Sequence, residues 1–386
     1  MWPRLAERRL GELWGQFPAV LLLGARQVGK TTLARQAFPQ LPYCDLEEPR
    51  LRELFASDPT FQIESRARPG LVLDEAQSVP EVFSALRGII DKQRSLNGLF
   101  LLLGSAQPAL IRRVSESLAG RVGILELDPL TALEAREGEP AQEMEKVWLH
   151  GGFPDALKGS HREWWDAYLR TYIERDLPHL GLAADPLLLR RLMTMLAHAQ
   201  GGLLNASQLG SSLGVSYHTA RRYVDILEQT FLVRRLPPYF RNVGKRLTKS
   251  PKVYLRDTGL LHHLLNISFL SELDQHPIRG ASWETFVLED LCRRERLLHP
   301  HSQCYFWRTA AGAEVDLVIE RGSERMAVEI KAGRAGKAGP VRALEDAVSD
   351  IGASRAWIVD QADGPEPLSP RVERRGMAAS LDWLPE

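Results

Sequence analysis

The sequence predicts an α/β fold: a parallel sheet carrying a phosphate-binding loop (P-loop) and, far downstream, a second, terminal α/β domain. Three observations predict it. The apolar run Val20–Leu23 leads into Gly24-Ala-Arg-Gln-Val-Gly-Lys-Thr31 and a helix-compatible segment, which is strand, phosphate loop and helix in order. A second apolar run, Gly70-Leu-Val-Leu-Asp-Glu75, ends in two acids. Far downstream, Ala313–Glu320 and Met326–Lys331 alternate charged and apolar residues around Arg321-Gly-Ser-Glu, as a β-hairpin does.

The phosphate loop needs these residue types. Gly24 and Gly29 admit backbone conformations closed to other residues, so the amides of Ala25, Arg26, Gln27, Val28, Gly29, Lys30, Thr31 and Thr32 can turn inward on an anion at a helix N-terminus. Lys30 is then placed for the β- and γ-phosphates, and the Thr31 hydroxyl for Mg2+. Asp74 is expected to hold the same ion, and Glu75 to orient the attacking water. ATP and Mg2+ are the expected cofactors, and an Asp-Glu pair points to hydrolysis rather than binding alone.

Composition limits the alternatives. The chain of 386 residues exceeds one compact core and predicts roughly two to four domains. Its 49 basic and 49 acidic residues cancel, so any nucleic-acid contact must come from a local patch. Cys44, Cys292 and Cys304 read as three isolated cysteines, suiting a reducing cytosol. Without a long apolar span or signal-type segment, a cytoplasmic location and no membrane partner are expected.

In chain order, residues 2–17 space Trp2, Leu5, Leu10, Leu13, Trp14 and Phe17 as a helix packed on the nucleotide domain. Leu41–Leu46 reads as a second strand, with Asp45 and Glu47 either near the nucleotide or in a turn. Phe100–Gln107 is a further strand whose polar end offers Ser105 or Gln107 as a γ-phosphate sensor or as helix caps. Arg112, Arg113 and Arg121 follow. Arg121, after Gly120, is the candidate to neutralise transition-state charge, in its own active site or a neighbour's.

The phrases GARQVGKTT, LVLDEAQSVPEVFSAL, GSAQPALIRRVSESLAGRV and LELDPLTALE resemble the prokaryotic ATPases of the archaeal-type AAA group, whose C-terminal half is a conserved domain of uncharacterised function of the DUF4143 type. GGFPDAL, YLRTYIERDL, LPPYFRNVGKRLTKSPKVYLRDTGLL and EVDLVIE…AVEIKAG extend the resemblance over nearly the whole chain. It implies a P-loop NTPase core with an additional strand, a winged-helix module and a restriction-endonuclease-like terminal domain. In place of the Thr-Gly-Ser-Ser usual at the sensor strand, this chain has Leu103-Gly-Ser-Ala106.

Residues 128–160 are punctuated by glycine and proline, with Gly151-Gly-Phe-Pro154 as a shaped turn. Tyr168–Leu177 reads as a helix stopped by Pro178. Asn205-Ala-Ser-Gln208 opens one helix, Gly214-Val-Ser216 turns, and Tyr217–Phe231 forms a second helix presenting Tyr217, His218, Arg221 and Arg222. Leu232–Tyr239 follows as a wing. From Arg234 to Arg256 run eight basic residues and no acid: Arg234, Arg235, Arg241, Lys245, Arg246, Lys249, Lys252 and Arg256. With Tyr239, Phe240 and Tyr254 interleaved, they suit a DNA backbone or a salt-bridged domain interface.

Trp283–Leu291 reads as an amphipathic helix. In the hairpin that follows, Glu329 and Lys331 share a face and Asp316 meets them from the neighbouring strand. This resembles the Asp…Glu-x-Lys core of metal-dependent nucleases, with Glu284 at the place of their helix-borne acid. Val341–Ile351 and Ala356–Asp360 complete the terminal sheet. The expected organisation is an ATPase domain over 1–135, a helical connection over 136–198, the winged-helix module over 199–256 and the nuclease-like domain over 257–386. Hydrolysis coupled to a DNA-binding half, an ATP-gated nuclease, and a nucleotide switch for a protein partner all fit, as does assembly into a homo-oligomer.

Overall fold

The computed structural model describes residues 2–105, 108–138, 140–180, 182, 184–240, 250–333, 338–362 and 364–377. Two compact units form. One is Arg4–Leu130 joined by Gln229–Phe231, and the other is the rest of the described chain.

The first unit is a five-stranded parallel sheet of β1 (Ala19–Gly24), β2 (Tyr43–Asp45), β3 (Leu71–Asp74), β4 (Phe100–Ser105) and β5 (Val122–Leu127). Their order, β2-β3-β4-β1-β5, inserts β4 between β1 and the acid-bearing β3. This is the additional strand of the expected P-loop fold. Every residue of β1 and β3 is buried, which is why both read as unbroken apolar runs rather than alternating ones. Leu21, Leu23, Leu73 and Leu102 pack there with Leu86, Ile89 and Phe83 of the helix Val82–Lys92. The N-terminal helix, Ala6–Gln16, turns Ala6, Leu10 and Leu13 inward.

In the second unit the helix His161–Thr171 does not stop at Pro178. It passes through a π-helical turn, Tyr172–Asp176, into Leu177–His179. A wide turn at that point changes the backbone pairing where proline offers no N–H, so the chain continues where a regular α-helix would break. Helices Ala206–Leu213 and Tyr217–Gln229 follow, joined through Gly214 at φ +71°, and Asn205 Oδ1 accepts from the Gln208 N–H as the first helix's cap. A two-stranded antiparallel ladder comes next, β6 (Val233–Leu236) on β7 (Lys252–Leu255).

The terminal sheet holds β8 (Gln303–Arg308), β9 (Glu314–Arg321), β10 (Glu324–Ile330), β11 (Arg355–Asp360), β12 (Glu366–Pro367) and β13 (Val372–Gly376) in the order β12-β13-β11-β10-β9-β8. β8, β9 and β10 are antiparallel neighbours, and β10, β11 and β13 run parallel. The crossover helix Ala338–Ile351 packs Leu344, Ala347, Val348 and Ile351 on the sheet.

The expected amphipathic helix is longer and differently used. It spans Arg279–Leu298, and Glu289, Asp290, Arg293, Arg294 and Glu295 are buried along it. Their charges are matched inside the unit: Glu289 takes Arg234 and Glu295 takes Arg321 at 2.6 Å, while Arg294 lies 2.8 Å from Asp290. Burial of such charges requires pairing, so a polar stripe here marks an internal ionic layer rather than a wet face.

Candidate active site

The C-terminal ends of β1 and β3 carry the loop and the acids. Gln27 and Gly29 take left-handed backbone at φ +59° and +100°, and Gly29 caps the helix Lys30–Ala37. Gly24 is needed for another reason than the one expected. It lacks a left-handed φ, but a Cβ on it would lie 2.4 Å from the Leu127 carbonyl oxygen of β5. Arg4 braces the loop from outside, donating to the carbonyl oxygens of Val28 at 3.0 Å and Asp128 at 2.5 Å.

Lys30 is buried and donates to the carbonyl oxygens of Gly24 at 3.0 Å and Ala25 at 2.9 Å. Burial pulls its ammonium down to about 8, against the opposing pull of Glu75 and Asp74. The Thr31 hydroxyl donates to Asp74 Oδ2 at 2.7 Å, and the Tyr43 hydroxyl from β2 donates to the same oxygen at 2.6 Å. The other Asp74 oxygen accepts from the Glu75 N–H. Thr31 and Asp74 thus bring two oxygen donors together beside the loop, a donor set that fits Mg2+.

Glu75 occupies left-handed backbone at φ +49°, a conformation that L-residues with long side chains seldom take and that collects at functional sites. Its carboxylate accepts from Ser105 Oγ at 3.1 Å and from Gln77 Nε2. Burial raises its pKa most, with Asp74 adding to the rise and Lys30 opposing it. Ser105 therefore touches the acid, while Gln107 lies outside the described residues. Asp45 takes the turn role, accepting from the Glu47 N–H.

Arg121 is not at this end of the sheet. Its carbonyl accepts from the N–H of Ala19, the first residue of β1, so roughly 17 Å of parallel strand separates it from Gly24. Its guanidinium pairs with Asp91 at 2.7 Å. Service to its own chain's loop is excluded by this placement.

The carboxylate cluster of the second unit brings Glu284, Asp316 and Glu329 together. The β9–β10 register sets Asp316 beside Glu329, Asp316 Oδ2 accepts from the Ile330 N–H at 2.8 Å, and Lys331 pairs with Glu329 at 2.5 Å. Burial raises Asp316 well above the usual carboxylate range, with Glu284 and Glu329 adding to it. One member was not foreseen. Lys252 of β7, one of the eight basic residues between Arg234 and Arg256, points its ammonium into the cluster, at Glu284 (3.2 Å), Glu314 and Asp316 (3.7 Å). The other described members of that run are also paired with acids: Arg234 and Arg256 on the buried Glu289, and Arg235 on the half-exposed Asp225 and Glu228. Arg241, Lys245, Arg246 and Lys249 lie outside the described residues. The divalent ion that the nuclease resemblance implies does not fit, because a buried ammonium already sits among its oxygens. Among the described residues no group of three or more His, Cys, Asp or Glu has an arrangement for a metal.

One further expectation changes, that of three isolated cysteines. Cys292 and Cys304 are not isolated, since their thiols act on each other, which lowers the pKa of Cys292 and raises that of Cys304. Tyr217, His218, Arg221 and Arg222 are exposed on the helix Tyr217–Gln229. No helix among the described residues is long and apolar enough to cross a membrane.

An additional-strand parallel sheet, a lysine-bearing phosphate loop and a facing Asp-Glu strand end define a P-loop ATPase domain of the AAA type. Residues 16–135 match the description "AAA domain", residues 141–271 "Domain of unknown function (DUF8612)", and residues 279–373 "Domain of unknown function (DUF4143)". The uncharacterized proteins Rv2008c of Mycobacterium tuberculosis and Mb2031c of Mycobacterium bovis are each 41% identical over 376 residues, covering 96% of this chain and 82% of theirs. The chain belongs to their family of proteins with an N-terminal AAA domain and a C-terminal DUF4143 domain. The solved Walker-type ATPase paby2304 of Pyrococcus abyssi is 15% identical with a TM-score of 0.48, over 69% of this chain and 96% of that one.

Proposed function

We propose that this chain hydrolyses ATP with Mg2+ at the loop of residues 24–32. The observation that carries the reading is the convergence of Lys30, Thr31, Asp74 and Glu75 at one end of the parallel sheet. Lys30 and the loop amides hold the phosphates, and Thr31 and Asp74 hold the metal, which would neutralise charge on the transferring phosphoryl group. Glu75, kept in place by Ser105 and Gln77, accepts the proton of the attacking water. Lys30→Ala is expected to abolish both tight nucleotide binding and phosphate release. Unchanged turnover in that variant sinks the reading.

DNA is the partner we assign to the second unit. The exposure of Tyr217, His218, Arg221 and Arg222 on the second helix of a helix-turn-helix pair favours this. With β6 and β7 as the wing, this is the winged-helix module over 199–256, between a helical connection (136–198) and the nuclease-like domain (257–386). Phosphate release is expected to rise with duplex DNA and to lose that gain at high salt. Turnover indifferent to DNA and to Arg221→Ala assigns the helix to a protein partner instead.

A further inference from the structure

The ammonium of Lys252 occupies the middle of the carboxylate cluster. We propose that this lysine permanently replaces the divalent cation of a nuclease-type centre, so that the site formed by Glu284, Glu314, Asp316 and Glu329 takes up no metal and cuts no nucleic acid. This is independent of the nucleotide site.

Four observations carry it. Lys252 is 2% exposed and reaches carboxylates on two elements, Glu284 of the helix Arg279–Leu298 and Glu314 and Asp316 of β9. Glu314 and Asp316 are two residues apart and so share a strand face.

At least one oxygen of each carboxylate already has a partner. Glu284 Oε1 accepts from Lys252 and, at 2.6 Å, from the fully buried Tyr254 hydroxyl. Asp316 Oδ2 accepts from the Ile330 N–H, and Glu329 is turned to Lys331. Hard divalent ions take six or more oxygens, several of them from carboxylates or water.

The lysine is held on both sides by backbone. Leu236 faces it from β6 and Leu203 bridges it from the other side, while the Val253 N–H donates to the Gly202 carbonyl and the Gly201 N–H to that of Val253. Its head also lies 5.7 Å from the centroid of the Phe306 ring, within the apolar floor. Withdrawing it would leave the buried Asp316 and the half-buried Glu284 without their nearest cation, with Arg308 on Glu314 and Lys331 on Glu329 as the charges that remain.

The test is a Mn2+ titration of the nucleotide-free full-length chain, read by loss of the free-ion electron paramagnetic resonance signal. The wild-type chain is expected to bind no ion at this centre, so it titrates as Glu284→Gln does. Lys252→Met, close in volume and without charge, is expected to gain one ion per chain at least tenfold tighter than wild type, and to lose it again when Asp316→Asn is added. A wild-type ion that survives Asp74→Asn and disappears in Glu284→Gln overturns the proposal. Mn2+-dependent cleavage of plasmid DNA by the wild type, lost in Asp316→Asn, overturns it as well. Both wild-type arms decide the matter even where Lys252→Met does not fold.

Discussion

The Tyr43 hydroxyl donates to the same Asp74 oxygen, Oδ2, that accepts from Thr31, at 2.6 Å against 2.7 Å. A residue of β2 therefore restrains the carboxylate assigned to the metal, and the β2–β3 register that sets Tyr43 opposite Val72 fixes its reach. Burial and Asp74 keep the phenol protonated, so it remains a donor throughout the working range.

Tyr43→Phe removes one hydrogen bond to a charged group, an interaction of about 1.5–3 kcal/mol. The Mg2+ concentration for half-maximal phosphate release is expected to rise about tenfold, beside a fall of a few degrees in Tm from the lost bond. An unaltered Mg2+ dependence removes Tyr43 from the site.

Lys30 gives a pH dependence with a definite sign. Its ammonium is the form that binds phosphate, and burial lowers its pKa to about 8. Affinity for ATP should be flat from about pH 6.5 to 7.5 and fall by up to about tenfold per unit above about 8, because each binding event then requires proton uptake. Calorimetric titration in buffers of different ionisation heat checks both the affinity and the proton.

His262 predicts acid lability of the second unit. Its Nδ1–H donates to the Leu149 carbonyl at 2.8 Å, and its Nε2 accepts from Ser282 Oγ at 2.7 Å, while Ser282 accepts from Trp148 Nε1. Burial lowers its pKa from 6.5 to about 4. The unfolded chain takes the proton first, so this contribution is complete above about pH 6.5 and is lost as pH falls toward 4, by about 3 kcal/mol in all. His262→Asn should be less stable at pH 7 and show a shallower loss between pH 6.5 and 4. Unfolding curves as steep as wild type over that range contradict the assignment.

The nucleotide loop was legible in sequence because its chemistry is local: strand, loop and helix lie within fifteen consecutive residues, Val20–Ala34. Tyr43 and Gln77 escaped notice because their roles depend on side-chain geometry around Asp74 and Glu75, for which spacing alone gives no sign. The stripe from Arg234 to Arg256 stayed open between a DNA backbone and a salt-bridged interface for a related reason. Charge counted along the chain does not reveal that Lys252 and Arg234 face acids on the helix Arg279–Leu298. That helix was itself read as amphipathic, since buried ion pairs leave the same polar pattern as a solvated face.

Arg121 leaves one role open to a neighbouring copy. Its place at the Ala19 end of the sheet, paired with Asp91, separates it from its own loop. If it completes a second protomer's site, turnover per chain should rise with protein concentration, and Arg121→Ala should reduce the rate by about 10³-fold or more at high concentration only. Rates that do not depend on concentration and survive the substitution leave Arg121 as a partner for Asp91.

The most direct test of the account is single-turnover phosphate release by Glu75→Gln beside the wild type, with nucleotide binding measured on the same samples. The account predicts unchanged affinity for Mg-ATP and a rate reduced by about 10²-fold or more, since the substitution removes the proton acceptor and keeps its shape. Release at the wild-type rate with binding intact would contradict it.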